Sequence, residues 1–279
     1  MRRMLLFLAA SAALFTQGNA DWHRELPGFK IAANLYYVGT ADLAVYLINT
    51  PQGNILINTD FKQDVPAIKK SIEQLGFKYG DTKILLISHA HGDHDEATAL
   101  VAKETGAKLM VMDADVPEEE STASGRPGAH VDRVLHDGDT VELGGSKLVA
   151  HLTPGHTRGC TTWTMQVRDG ARTLNAIIVG SPNVNSGYIL VGNKNYPGIA
   201  EDYVKTFAVL KSLPCDLFLG AHGAYFGLSA KYSTFSKMQA GAANPFIDPE
   251  GYKAYVAERE DTFLKEWARQ KQNPGTPAR

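Results

Sequence analysis

The chain has 279 residues, 44% of them hydrophobic and 21% charged, so it can bury a full core, and disorder along its length is excluded. Its 28 Lys and Arg stand against 30 Asp and Glu, a formal charge of −2 with no basic block, which argues against a nucleic-acid partner.

The chain opens "MRRMLLFLAASAALFTQGNA". Arg2 and Arg3 precede an apolar run from Met4 to Phe15, and Gly18-Asn19-Ala20 offers small residues for cleavage. This pattern predicts a leader over residues 1–20, removed after Ala20, and an apolar run too short to span a membrane. The expected destination is the periplasm or the cell exterior. Cys160 and Cys215 would then meet an oxidising compartment, and the two are expected to stay unpaired.

From Phe29 onward, short β-rich runs broken near Gly39-Thr40 and Pro51–Gly53 predict a sheet meander. Val65, Ile68, Ile72 and Leu75 recur at helical spacing, which predicts a helix over 64–77. A buried strand follows over 83–88, then a helix that starts at Asp95 and stops near Gly106. The second half continues with a strand over 108–113 and a Glu- and Gly-rich loop to about residue 129. Two hairpins come next, over 139–154 with its turn at Gly144-Gly145 and over 161–180 with its turn at Asp169-Gly170. A helix over 199–214, a strand within 215–223 and a long helix over 249–272 complete the chain. Hairpins begin each half and helices follow, so the expected α/β architecture is two packed sheets with helices outside, a four-layer αββα sandwich. No Pro/Gly/Ser-rich linker divides it, and residues 21–279 are expected to form one domain. Trp163, in the alternating stretch "TTWTMQV", belongs to the core.

The stretch "ISHAHGDHDEA" crowds His89, His91, His94, Asp93 and Asp95 into seven residues of a chain with nine histidines. A solvated turn is the plain explanation, but close-packed imidazoles repel when protonated, and a shared cation removes the repulsion. His156 in "TPGHTRG" and His222 in "LGAHG" also sit between small residues at expected strand ends. The six ligand candidates divide into His89, His91 and His156 for one ion, and Asp93, His94 and His222 for a second. Gly92 is expected to let the chain turn tightly between the two groups. The borderline-soft donors favour two zinc ions, with iron and manganese left open. Such a pair suits hydrolysis by a metal-bound hydroxide that Asp93 orients as the catalytic carboxylate. No G-x-S-x-G appears. His23, His130 and His136 lack this context, whereas His151, just before "TPGH", is a candidate to support a ligand.

His89-x-His91-x-Asp93-His94 with His156 and His222 resembles the metallo-β-lactamase superfamily. "NLYYVGTADLAVYLI", "VLHDGDTVELGG", "AHLTPGHTRGCTTWTMQV", "IIVGSPNVNSGY" and "LPCDLFLGAHGAYFGL" extend the resemblance over nearly the whole mature chain, toward the third subclass of true metallo-β-lactamases. The resemblance implies opening of the β-lactam ring of penicillins, cephalosporins and carbapenems, with antibiotic resistance as its consequence. It also implies a small-molecule β-lactam as the only partner, and a monomer by default. From the same resemblance, Asn183, Asn185 and Ser186 in "SPNVNSG" are candidate substrate contacts. Two departures stand out. The tract after Asp115 is shorter than the family often carries, which would reshape one wall of the cleft. No cysteine near residue 251 is present to pair with Cys215. A lactonase or another metallo-hydrolase of the superfamily, and a metal-binding protein with degraded activity, remain as alternatives.

Overall fold

The computed structural model describes residues 20–123, 127–239 and 241–278, so the leader reading lies almost wholly outside the described residues. Two sheets carry the fold. Strands β1 (Phe29–Ala32), β2 (Leu35–Tyr37), β3 (Tyr46–Thr50), β4 (Gly53–Ile57), β5 (Thr82–Leu86), β6 (Lys108–Met112) and β7 (Arg133–Leu135) lie side by side in chain order. The first four pair antiparallel, and β4 through β7 run parallel. The second sheet has the order β12-β11-β10-β9-β8, from β8 (Thr140–Leu143), β9 (Ser146–Leu152), β10 (Thr161–Asp169), β11 (Arg172–Val179) and β12 (Leu217–Gly220).

Alternation along the strands sorts residues into layers. Tyr46 and Ile48, Ile55 and Ile57, Ile84 and Leu86 all join the larger core cluster, together with Leu148, Ala150, Trp163, Met165 and Ala176 of the second sheet. Their neighbours Leu47, Leu56 and Leu85 point the other way, onto Val65, Ile68 and Ile72 of helix α1 (Val65–Gln74). On the far side, α5 (Ile199–Ser212) and α7 (Pro249–Gln272) pack through Tyr203, Phe207, Phe263 and Trp267, whose rings stack on one another. The result is the expected four-layer αββα sandwich.

Local differences from the sequence reading have physical causes. The helix expected from Asp95 is two pieces, α2 (Gly92–Asp95) and α3 (Thr98–Thr105). The chain breaks between them where Ala97 donates its N–H to the carbonyl of Asp60. Helices α4 (Val116–Glu119) and α6 (Leu228–Phe235) and strand β7 are too short to leave a period in the sequence. Trp163 is buried as expected, and its indole N–H donates to the Ile87 carbonyl just before the histidine tract.

Candidate metal centre

Four strand ends meet at one edge of the sandwich. β5 runs into His89, β9 into His156, β11 into residues 180–188, and β12 into His222. The two sheets are stitched there by backbone hydrogen bonds, Thr161 to Ser88 at 2.7 Å and Ala44 to Ala221 at 3.0 Å. Parallel strands end with their carboxyl termini on the same side, so ligands distant in sequence arrive together.

All six expected ligands converge. Single donor atoms of His89, His91 and His156 lie within 4.8 Å of one another, and the same holds for His89, Asp93 and His94. His222 completes the second group, with Nε2 3.1 Å from His94 Nε2 and 3.4 Å from Asp93 Oδ2. His91 Nδ1 and His156 Nε2 stand 3.2 Å apart. Zn–N bonds of 2.0–2.1 Å in a tetrahedron place two nitrogens about 3.3 Å apart, so both spacings suit a shared ion. Both ring nitrogens of buried His89, and Nδ1 of His94, have no hydrogen-bond partner. Buried donors and acceptors are seldom left so, and a cation accounts for one nitrogen of His89; the inward nitrogen of His94 is Nε2, which faces His222 and Asp93. The donor set therefore fits two zinc ions.

The neighbours of these ligands were not legible in the sequence. Asp115, buried near the start of α4, accepts from the Ala90 amide at 3.0 Å, the Thr157 hydroxyl at 2.7 Å and the Gly159 amide at 2.6 Å. One carboxylate thus clamps the His89–His91 loop to the His156 loop. Burial pushes its carboxyl up, and these three donors offset part of that. Gly159 is required there, because a Cβ would lie 2.7 Å from the Asp115 carboxyl carbon. Gly155 is required too, at φ +125° with the Tyr203 ring 2.8 Å from any Cβ. Gly92 is not. Its Cβ would meet only the Phe61 ring at an ordinary 3.8 Å, and its φ is not positive, so the turn does not depend on a glycine as expected. Asp115→Ala strands two buried amides and is expected to cost on the order of 3 kcal/mol. Zinc at the first group should fall with it, as read by thermal melting and metal analysis.

His156 Nδ1 donates to the Asn183 carbonyl at 2.9 Å, which turns Nε2 toward the centre. His222 Nδ1 donates to Asp42 at 3.0 Å, and Asp42 also accepts from the Ala224 amide. Burial drives His94 and His156 down to about 3, and holds His89 well below its usual value. Burial also opposes a charge on His222, but Asp42 and Asp93 outweigh it and bring the imidazole up to about 9. Burial opposes the charge on Asp93 as well, yet His94, His222 and His91 hold its carboxyl well below the usual carboxylate range.

A cation entering the second group must therefore displace a proton from His222. Its affinity should rise about tenfold per pH unit up to about pH 9. Asp42→Asn removes the carboxylate that both orients and charges that ring. It is expected to lower zinc affinity of the second group at pH 9 by about 10- to 100-fold and to flatten the pH slope. Chelator competition at pH 6.5 and 9 reads both effects; unchanged affinity at both would overturn the role.

The centre opens into a cleft of about 760 Å³. Trp22 and Phe61 form its apolar side, with the Trp22 and His222 rings 5.9 Å apart. Asn183, Asn185 and Ser186 all line it; Asn185 and Ser186 are exposed, and the buried Asn183 Oδ1 has no hydrogen-bond partner. His151 is elsewhere. Its Nε2 bonds the Thr164 hydroxyl at 2.8 Å in a trough with Lys147 and Gln166, so it does not support a ligand. His130 and His136 are exposed, and His23 pairs with Asp64. Cys160 is buried and Cys215 half-buried, both as free thiols and neither among the donor groups.

Comparison with known proteins agrees with this geometry. The family model of the metallo-beta-lactamase superfamily matches residues 43–222. The native FEZ-1 metallo-beta-lactamase from Legionella gormanii is 52% identical, with a TM-score of 0.85, over 90% of this chain and 98% of that one. BJP-1, a subclass B3 metallo-beta-lactamase of Bradyrhizobium japonicum, is 38% identical, with a TM-score of 0.85, over 92% and 99%. A curated hydroxyacylglutathione hydrolase from Rhodopseudomonas palustris is 27% identical over 67% of this chain, and the match spans 65% of that relative. Two further curated relatives are matched over 30% and 33% of their length. With the expected donors gathered at the carboxyl ends of two packed sheets, the chain belongs to the metallo-beta-lactamase superfamily and resembles its subclass B3 enzymes over nine tenths of its length.

Proposed function

We propose that this protein is a zinc-dependent β-lactamase that hydrolyses the amide of penicillins, cephalosporins and carbapenems. The observation that carries the reading is the pair of adjoining donor groups, three histidines beside Asp93, His94 and His222, at the floor of an open cleft. Two zinc ions would be held there, one by each group. Bound zinc supplies Lewis acidity toward the lactam carbonyl and lowers the pKa of water toward neutrality.

The chain's own residues do the rest. Asp42 is committed to His222 and the Ala224 amide, which leaves Asp93 as the cleft carboxylate able to orient a water by accepting its hydrogen bond. Trp22 and Phe61 cover one side and exclude bulk water from the reacting bond. Asn185 and Ser186 present an amide and a hydroxyl to the carboxylate next to the lactam nitrogen, and Asn183 holds His156 through its carbonyl. Among the described residues that line the cleft, none is Lys or Arg, a poor match to the two carboxylates of glutathione.

Residues 21–279 act as one domain in this reading. The leader pattern of residues 1–20 supports a mature chain in the periplasm or outside the cell, taken as a monomer by default, where the enzyme would confer antibiotic resistance. No helix among the described residues is long and apolar enough to cross a membrane. The test is turnover of a penicillin, a chromogenic cephalosporin and a carbapenem, with and without a chelator. Hydrolysis lost on chelation and restored by zinc supports the reading. Zinc bound without β-lactam turnover, but with turnover of a lactone, moves the substrate and keeps the centre.

A further inference from the structure

Between β11 and α5 the chain runs through residues 180–198 without regular structure, and this loop carries Asn183, Asn185, Ser186 and Tyr188 along one wall of the metal cleft. A loop of that length keeps one shape when its backbone finds partners elsewhere. On the cleft side, the Asn183 carbonyl accepts from the Tyr203 hydroxyl at 2.6 Å as well as from His156. The Tyr188 hydroxyl donates to the His156 carbonyl at 2.7 Å. The exposed Asn185 and Ser186 form the tip, where the Tyr188 amide closes a turn onto the Asn185 carbonyl at 3.1 Å.

The opposite side of the loop is held by the last turn of α7 and the segment after it. Gln270, fully buried, uses both ends of its amide: Oε1 accepts from the Leu190 amide at 2.7 Å, and Nε2 donates to the Tyr188 carbonyl at 3.0 Å. Nε2 also donates to Glu266, one turn back, at 2.7 Å, which fixes the way the amide faces. Ala278 pairs with the loop as a strand would. Its N–H donates to the Tyr188 carbonyl at 2.8 Å, and its carbonyl accepts from the Gly187 amide at 2.9 Å. Arg269 secures that segment by donating to the Pro277 carbonyl at 2.6 Å. The bonds from Gln270 and Ala278 thus converge on residues 187–190, next to the Asn185–Ser186 tip. Neither Gln270 nor Ala278 reaches the cleft itself, so any effect of theirs on a substrate passes through the loop.

We propose that Gln270 and the segment 273–278 form a latch that sets where the Asn185–Ser186 tip stands over the metal cleft, with Gln270 as a positioning residue for substrate binding. The latch follows from the hydrogen bonds, and its consequence for a substrate rests on the β-lactam reading. A tip that grips the substrate away from the reacting bond binds the ground state and the transition state alike. Loosening it therefore raises KM and leaves kcat nearly unchanged.

The test compares the zinc-loaded mature protein with Gln270→Met, Ala278→Pro and Ala278→Ser. The proline removes one N–H of the latch, and the serine keeps it as the conservative control. Hydrogen exchange read by mass spectrometry should be about tenfold faster over residues 186–190 in Gln270→Met and Ala278→Pro, and unchanged in the rest of the chain. KM for benzylpenicillin should rise about five- to tenfold in both, with kcat within about threefold, bound zinc unchanged and Ala278→Ser like the parent. If Gln270→Met exchanges faster throughout, the buried substitution has loosened the whole fold, and Ala278→Pro decides. Unchanged exchange over residues 186–190 in Ala278→Pro overturns the latch. Faster exchange there with an unchanged KM overturns the positioning role. If the parent protein does not hydrolyse benzylpenicillin, the exchange rates still decide the latch, and the β-lactam reading falls alone.

Discussion

Asp93→Ala is expected to lower kcat on a β-lactam by about two to four orders of magnitude, the range for loss of a group that positions the attacking water. Bound zinc should fall from about two per chain to about one, because the same side chain completes a donor set. Both losses follow from where Asp93 sits. In the first turn of the short helix α2 it projects into the cleft, with Oδ2 3.5 Å from His94 Nε2 and 3.4 Å from His222 Nε2. Those rings hold it ionised, so it enters the reaction as a carboxylate that can bind a cation and orient a water by accepting its hydrogen bond. Asp93→Asn separates the two roles. It keeps the shape and one oxygen, so zinc should be retained better than activity. Metal analysis beside steady-state kinetics decides; full activity in Asp93→Ala would remove the residue from both roles.

Stripping the metal is the second large effect. A chelator should abolish hydrolysis and lower the melting temperature by on the order of 10 °C. Zinc at a thousandfold excess over its Kd contributes about 4 kcal/mol of linkage, and about 2–4 °C accompanies each kcal/mol in a chain somewhat smaller than this one. The source of the instability is visible in the site. Without a cation, His89 keeps two buried nitrogens unpartnered, and the imidazoles of His91 and His156 face each other at 3.2 Å. Differential scanning fluorimetry across a zinc titration measures this, and a melting temperature indifferent to zinc would refute it.

Several parts of this account were open to inspection in the sequence because they are local. His89, His91, Asp93 and His94 fall within six residues, and their crowding has few physical explanations other than a cation. The two hairpins and α1 also read correctly, since apolar alternation and helical spacing are properties of neighbouring residues. The break between α2 and α3 was not legible, because it depends on the Asp60 carbonyl. Nor was the irrelevance of His151, which points from its strand to the outer face.

By itself the sequence determined the donor types, the order of the longer elements and the family to which the chain belongs. Tertiary structure alone decided which carboxylates serve the centre. Asp42 and His222 are 180 residues apart and meet only because β12 delivers His222 beside the loop before β3. Asp115 clamps loops that begin 25 and 42 residues away along the chain. A cavity lined by Asn183, Tyr225 and Arg259 likewise exists only where α7 packs beside the loops that follow β11 and β12. Hydrogen bonding and cavity shape act over ångströms in space whatever the distance along the chain, so a single sequence displays the ligands, and the packing of the two sheets selects their partners.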